Sequence, residues 1–138
     1  MNTATRSLRC AFVLAALALA AGCEGPQARH PKMTQECVLA SGQSAPDVEM
    51  GIESAVRIVL PGPEPGSGLA WEIAENNASV LEQMGRPAAV PGGQPATSTV
   101  SFYSLKPGRS VLRFVLIRPG QREAEPAAMC GVVVHVRD

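Results

Sequence analysis

Several stretches of the chain alternate apolar and polar residues with a period of two, the pattern of strands buried on one face. "SAVRIVL" (54–60) sets Val56, Ile58 and Leu60 on one side and Arg57 on the other. "LAWEIAE" (69–75) turns Leu69, Trp71 and Ile73 inward and Glu72 and Glu75 outward. "TVSFYSL" (99–105) offers Val100 and Phe102, and "SVLRFVLIR" (110–118) offers Leu112, Phe114 and Leu116 opposite Arg113. "CGVVVHVR" (130–137) aligns Cys130, Val132, Val134 and Val136, with His135 and Arg137 on the other face. Shorter strands are predicted at "ECVLA" (36–40) and "SVLEQM" (79–84). No segment after Glu36 has a helical period.

About seven short strands separated by Gly and Pro signals predict an all-β fold, an immunoglobulin-like β-sandwich. "LKPGRS" (105–110) reads as a tight turn between two antiparallel strands. The longest connections then fall at 61–68, 85–98 and 118–129, and a two-sheet sandwich places these alternate crossings at one end. The first of them, within "LPGPEPGSGLAWEI" (60–73), joins two strands of one domain and is no interdomain linker. Pro61, Pro63 and Pro65 fix φ at three places, so such a loop loses little entropy when a partner presses on it.

The first quarter of the chain has a different character. Arg6 and Arg9 precede "CAFVLAALALAA" (10–21), an apolar run too short to span a bilayer, so residues 1–22 read as a secretory signal peptide. The run ends in "LALAAGCEG", which resembles the lipobox of bacterial lipoproteins, with Gly22 before the cut and Cys23 as the lipid-bearing first residue. Several acyl chains anchor stably where one is marginal. Glu24 replaces the aspartate that marks inner-membrane retention in many lipoproteins, so the resemblance implies the outer membrane, facing the periplasm. Residues 23–34 have the composition of a flexible tether and 35–138 form the folded domain.

This compartment alters the reading of the cysteines. Cys10 leaves with the signal and Cys23 takes lipid, which leaves Cys37 and Cys130 as an even pair under oxidising conditions. They are expected to bond to each other, the alternative being two buried free thiols. The whole chain carries 12 basic and 12 acidic residues, with no basic patch for nucleic acid. The histidines are His30 in the tether and His135 on a strand face, remote from any Ser, Cys or acidic cluster. No metal spacing, nucleophile elbow or phosphate loop is present, so neither an enzyme, a metal nor a cofactor is expected. No dimer signature is visible, and the domain is expected to be a monomer.

"LPGPEPGSGLAW", then "VPGG", then "VLRFVLIRPG" in that order resemble the chagasin-type inhibitors of cysteine peptidases, a family of immunoglobulin-like domains. The resemblance spans residues 48–138. In that family three neighbouring loops form a wedge that enters the cleft of a papain-like peptidase. The first loop there carries Asn-Pro-Thr-Thr-Gly, an aromatic, Ala and Trp. The matching positions here are Glu64, Pro65, Gly66, Ser67, Gly68, Leu69, Ala70 and Trp71. Of a Gly-x-Gly-Gly second loop, Gly92 and Gly93 are present. Of an Arg-Pro-Trp third loop, Arg118 and Pro119 are present, and Gly120 stands in place of the tryptophan.

The resemblance implies a membrane-tethered inhibitor of papain-like cysteine peptidases, acting through residues 63–69, 91–93 and 118–120. The matching residues are mostly scaffold, and Gly66 and Gly120 fall where the family makes side-chain contact. The alternative is a non-inhibitory immunoglobulin-like envelope lipoprotein that serves as a protein-binding adaptor.

Overall fold

Eight strands and no helix form among the described residues, which in this computed structural model are 30–93 and 95–138. They are β1 (Thr34–Val38), β2 (Asp47–Gly51), β3 (Ala55–Pro61), β4 (Ala70–Glu75), β5 (Leu81–Ala89), β6 (Thr97–Ser104), β7 (Gly108–Ile117) and β8 (Ala128–Arg137). One sheet has the order β1-β3-β6-β5 and the other β2-β8-β7-β4. The fold is the expected all-β sandwich, immunoglobulin-like in its two antiparallel-rich sheets. The signal peptide, Cys23 and most of the tether lie outside the described residues.

The alternating stretches become the core. Val56, Ile58, Leu60, Val100 and Phe102 point inward from one sheet, and Trp71, Leu112, Phe114, Cys130, Val132 and Val134 from the other. At the centre the rings of Phe102 and Phe114 meet edge to face across the two sheets, with centroids 6.2 Å apart. On the outer face of the second sheet, cross-strand ion pairs join Glu49 to Arg137 and Glu75 to Arg113, and a hydrogen bond joins Asp47 to His135. His135 is therefore a surface strand residue whose Nε2 lies 2.9 Å from Asp47 Oδ1.

Four expectations need correction. The short β2 was not anticipated: it follows the polar run "SGQSAPD", and only Val48 and Met50 alternate inward, too few to register as a period. β5 continues to Ala89, past the expected end at 84, by means of an irregularity between Met84 and Ala88, so the next loop shrinks to 90–96. Residues 105–107 do not close a hairpin, because β6 and β7 belong to different sheets. A Pro-Gly signal specifies a reversal of direction and says nothing about which strand edges then pair.

The fourth correction concerns the disulfide. Cys37 and Cys130 are free thiols, half-buried and buried respectively. An even cysteine count carries no information about reach. Cys37 sits on edge strand β1 of one sheet and Cys130 on β8 of the other, and their sulfurs are not bonded.

Candidate functional site

Register alone brings the three long loops together. Pro61 at the end of β3 lies beside Thr97 at the start of β6, and Ala89 at the end of β5 beside Ser98. In the other sheet Ala70 pairs with Ile117, and Leu116 with Ala128. Strands β3, β5 and β7 therefore end where β4, β6 and β8 begin, and the connections 62–69, 90–96 and 118–127 emerge at one end of the sandwich, as the sequence predicts.

The loops are tied at their bases. Gly62 N–H donates to Ala96 O at 2.8 Å, joining the first loop to the second. A Cβ at Gly62 would lie 2.7 Å from Ala96 backbone atoms, so only glycine permits this approach. Trp71 Nε1–H donates to Pro61 O at 2.6 Å and closes the neck of the first loop. Val90 N–H donates to Thr97 O at 2.9 Å and closes the second, and Ala127 N–H to Leu116 O at 2.9 Å the third.

The tips share one construction. Ser67 N–H donates to Glu64 O at 3.1 Å across Pro65 and Gly66, whose φ is 77°. Gln121 N–H donates to Arg118 O at 3.0 Å across Pro119 and Gly120, whose φ is 84°. Proline at the second position and a left-handed residue at the third define a type II turn. Val90-Pro91-Gly92-Gly93 repeats the arrangement with Gly92 at φ 70°. Gly66 and Gly120, which read as departures from an inhibitor pattern, are thus the residues that these turns require. The recurring signals "EPGS", "VPGG" and "RPGQ" hold this information; comparison by position with a family pattern conceals it.

Glu64, Pro65, Gly66, Gly68, Gly92, Arg118, Pro119 and Gly120 are exposed at this end, with Ser67 and Gly93 half-buried beneath them. Ser67 is turned to its own loop, its Oγ accepting from Leu69 N–H at 3.3 Å. Leu69 packs against the core and Trp71 is buried, so both belong to the scaffold. Among the described residues, Arg118 forms no ion pair with Glu123 or Glu125. The internal partnership of this loop belongs instead to Arg122, whose Nε donates to Glu72 Oε2 at 3.1 Å and folds the descending limb onto β4. Arg122 and Arg86, neither of them apparent as site residues in the sequence, line a groove beside Pro119.

Among the described residues no group of His, Cys, Asp and Glu could hold a metal ion. The two thiols lie away from the tips, and burial pushes both Cys37 and Cys130 above the ordinary thiol range.

No protein-family model matches the chain, and no curated protein matches its sequence. Solved structures match its fold. The cysteine protease inhibitor EhICP2 from Entamoeba histolytica aligns with a TM-score of 0.60 at 19% identity, over 78% of this chain and 100% of that one. PbICP-C, solved in complex with falcipain-2, aligns with a TM-score of 0.54 at 14% identity, over 75% of this chain and 99% of that one. Amebosin gives 0.53 at 16% identity, over 78% and 100%. The fold implied by the chagasin-type motifs is the fold observed.

Proposed function

We propose that the chain is an inhibitor of papain-like cysteine peptidases, tethered through Cys23 to the bacterial outer membrane and facing the periplasm. The observation that carries the reading is the convergence of three Pro-Gly turns at one end of a fold shared with EhICP2 and PbICP-C. The loops 62–69, 90–96 and 118–127 form a blunt wedge that occupies the active-site cleft and covers its nucleophile. Two features keep the wedge from being cut. The turns fold the chain back on itself, so no extended strand is offered to the cleft, and Pro65, Pro91 and Pro119 remove backbone donors at the tips.

Affinity in this reading comes from rigidity. Turns that are already closed lose little entropy on docking, and the glycines let the tips approach a surface closely. Arg118, exposed and without an ion-pair partner among the described residues, supplies the charged contact of the third loop. The test titrates the full chain against papain with a fluorogenic substrate. Reversible, tight inhibition that weakens in Ser67→Ala and Arg118→Ala supports the proposal. A folded sample that leaves papain fully active at high micromolar concentration sinks it.

The alternative, an envelope adaptor that binds a non-peptidase protein through the same loops, is favoured by one observation. The φ of 84° at Gly120 disfavours any aromatic anchor in the third loop. The same titration separates the two, because an adaptor leaves the peptidase active.

A further inference from the structure

The outer edges of the two sheets meet along β4 and β5, and the chain departs from regular pairing there. β5 follows β6 in register up to Met84 and again from Ala88, and residues 85–87 bulge out between them. Two residues cause this. Gly85 takes a φ of 84°, and Pro87 has no N–H to give to the ladder. Bulges of this kind re-aim side chains at sheet edges.

The side chain so placed is Arg86. It lines a groove of about 410 Å³ together with Gln83, Pro87, Glu72, Arg122 and Pro119. Arg122 is held there by its 3.1 Å contact with Glu72, which neutralises one of the two guanidinium groups. Arg86 has no ion-pair partner among the described residues. The groove therefore keeps one uncompensated positive charge in a fork geometry suited to a carboxylate. Pro119 forms one wall of it, so it runs directly into the tip of the third loop.

We propose that this groove is a second interaction surface that takes an acidic, extended peptide segment of a protein partner, a carboxylate of the segment bridging Arg86 and the outer side of Arg122. Its position beside the loops lets one partner occupy both surfaces. The groove would add affinity and orientation to whatever the loops engage, so the proposal stands under either functional reading.

The probe is a glutamate octapeptide titrated into the isotopically labelled full chain and followed by amide chemical shifts, with a glutamine octapeptide as the control. Shifts are expected at residues 83–88 and 119–122, fading as salt is raised. Inverting one of the two guanidinium charges in Arg86→Glu should weaken binding about tenfold, as attraction is exchanged for repulsion at a partly exposed site. Arg122→Gln should weaken it less, and Arg109→Glu, at the opposite end of β7, should leave it unchanged. Shifts spread over the arginines of both sheets, equal binding of the glutamine peptide, or undiminished binding by folded Arg86→Glu would each overturn the proposal. None of these outcomes depends on peptidase inhibition.

Discussion

The indole N–H of Trp71 donates to the carbonyl oxygen of Pro61 at 2.6 Å, so a core residue of β4 holds shut the neck of the loop that separates it from β3. Trp71 is 5% exposed and belongs to the same core cluster as Leu60, Phe114 and Leu116. One side chain thus couples the core to the geometry of the first loop.

Trp71→Phe separates these two roles. The ring keeps most of the packing, while the Pro61 carbonyl loses its donor at a cost of about 1 kcal/mol. In a domain of this size that lowers Tm by about 4–8 °C, and the neck of the loop loosens, so peptidase inhibition should fall by more than stability alone explains. Thermal unfolding and titration against papain on one sample measure both. Trp71→Ala, which also empties the core site, should cost about 3–5 kcal/mol.

Restoring the aromatic residue of the inhibitor pattern should not improve the third loop. Gly120 has a φ of 84° with open space around it, so the obstacle to a side chain is the backbone and not a clash. Gly120→Trp should open the turn or strain it by about 1–3 kcal/mol and lose the 3.0 Å bond from Gln121 N–H to Arg118 O. Gly120→Asn, a residue that tolerates the left-handed region, should keep the turn. Amide shifts of residues 118–121 would report which outcome occurs, and a Gly120→Trp variant with an unchanged turn would contradict the assignment.

The fold was legible because its strands are half-buried. Val56, Ile58 and Leu60, or Leu112, Phe114 and Leu116, announce an inward face by alternation. What was not legible depended on partners distant in sequence. Two inward residues, Val48 and Met50, were too few to mark β2, which exists because β8 offers it a parallel edge from Val133 to Arg137. The gathering of the loops followed from strand parity. The role of Gly66 and Gly120 did not, since their value lies in backbone angles that comparison of residue types ignores. Nor did that of Arg86, whose direction is set by a bulge.

The thiols give a pH dependence. Burial raises Cys37 and Cys130 above the ordinary range, so between the ordinary thiol pKa of about 8.5 and the raised folded values the unfolded chain releases protons that the folded chain retains. Stability should hold up to about pH 8.5 and fall as pH rises beyond it. Urea unfolding across that range measures the slope, and Cys37→Ala/Cys130→Ala should reduce it. In the native protein a thiol reagent should modify half-buried Cys37 before Cys130, which is 5% exposed, and unfolding should release both. An intact mass showing a native disulfide would contradict the free-thiol assignment.

Ser104 is the last point at which stability and binding can be pulled apart. It lies at the end of the sandwich opposite the loops and is fully buried. Its Oγ accepts from Ser54 N–H at 3.0 Å and donates to Gly51 O at 2.7 Å, pinning the corner between β2 and β3 to the end of β6. Ser104→Ala leaves Ser54 N–H without that acceptor in a site closed to water, a loss of about 1–3 kcal/mol. Ser104→Val adds bulk to the same unsatisfied site and should do worse, whereas Ser44→Ala, on the exposed crossing segment, should change nothing. Because the tips are held by their own hydrogen bonds at the far end, folded Ser104→Ala should retain full inhibitory strength per molecule. Chemical denaturation and papain titration at a temperature well below unfolding test this directly, and a parallel loss of stability and inhibition would show that the loop end is not independent of the corner.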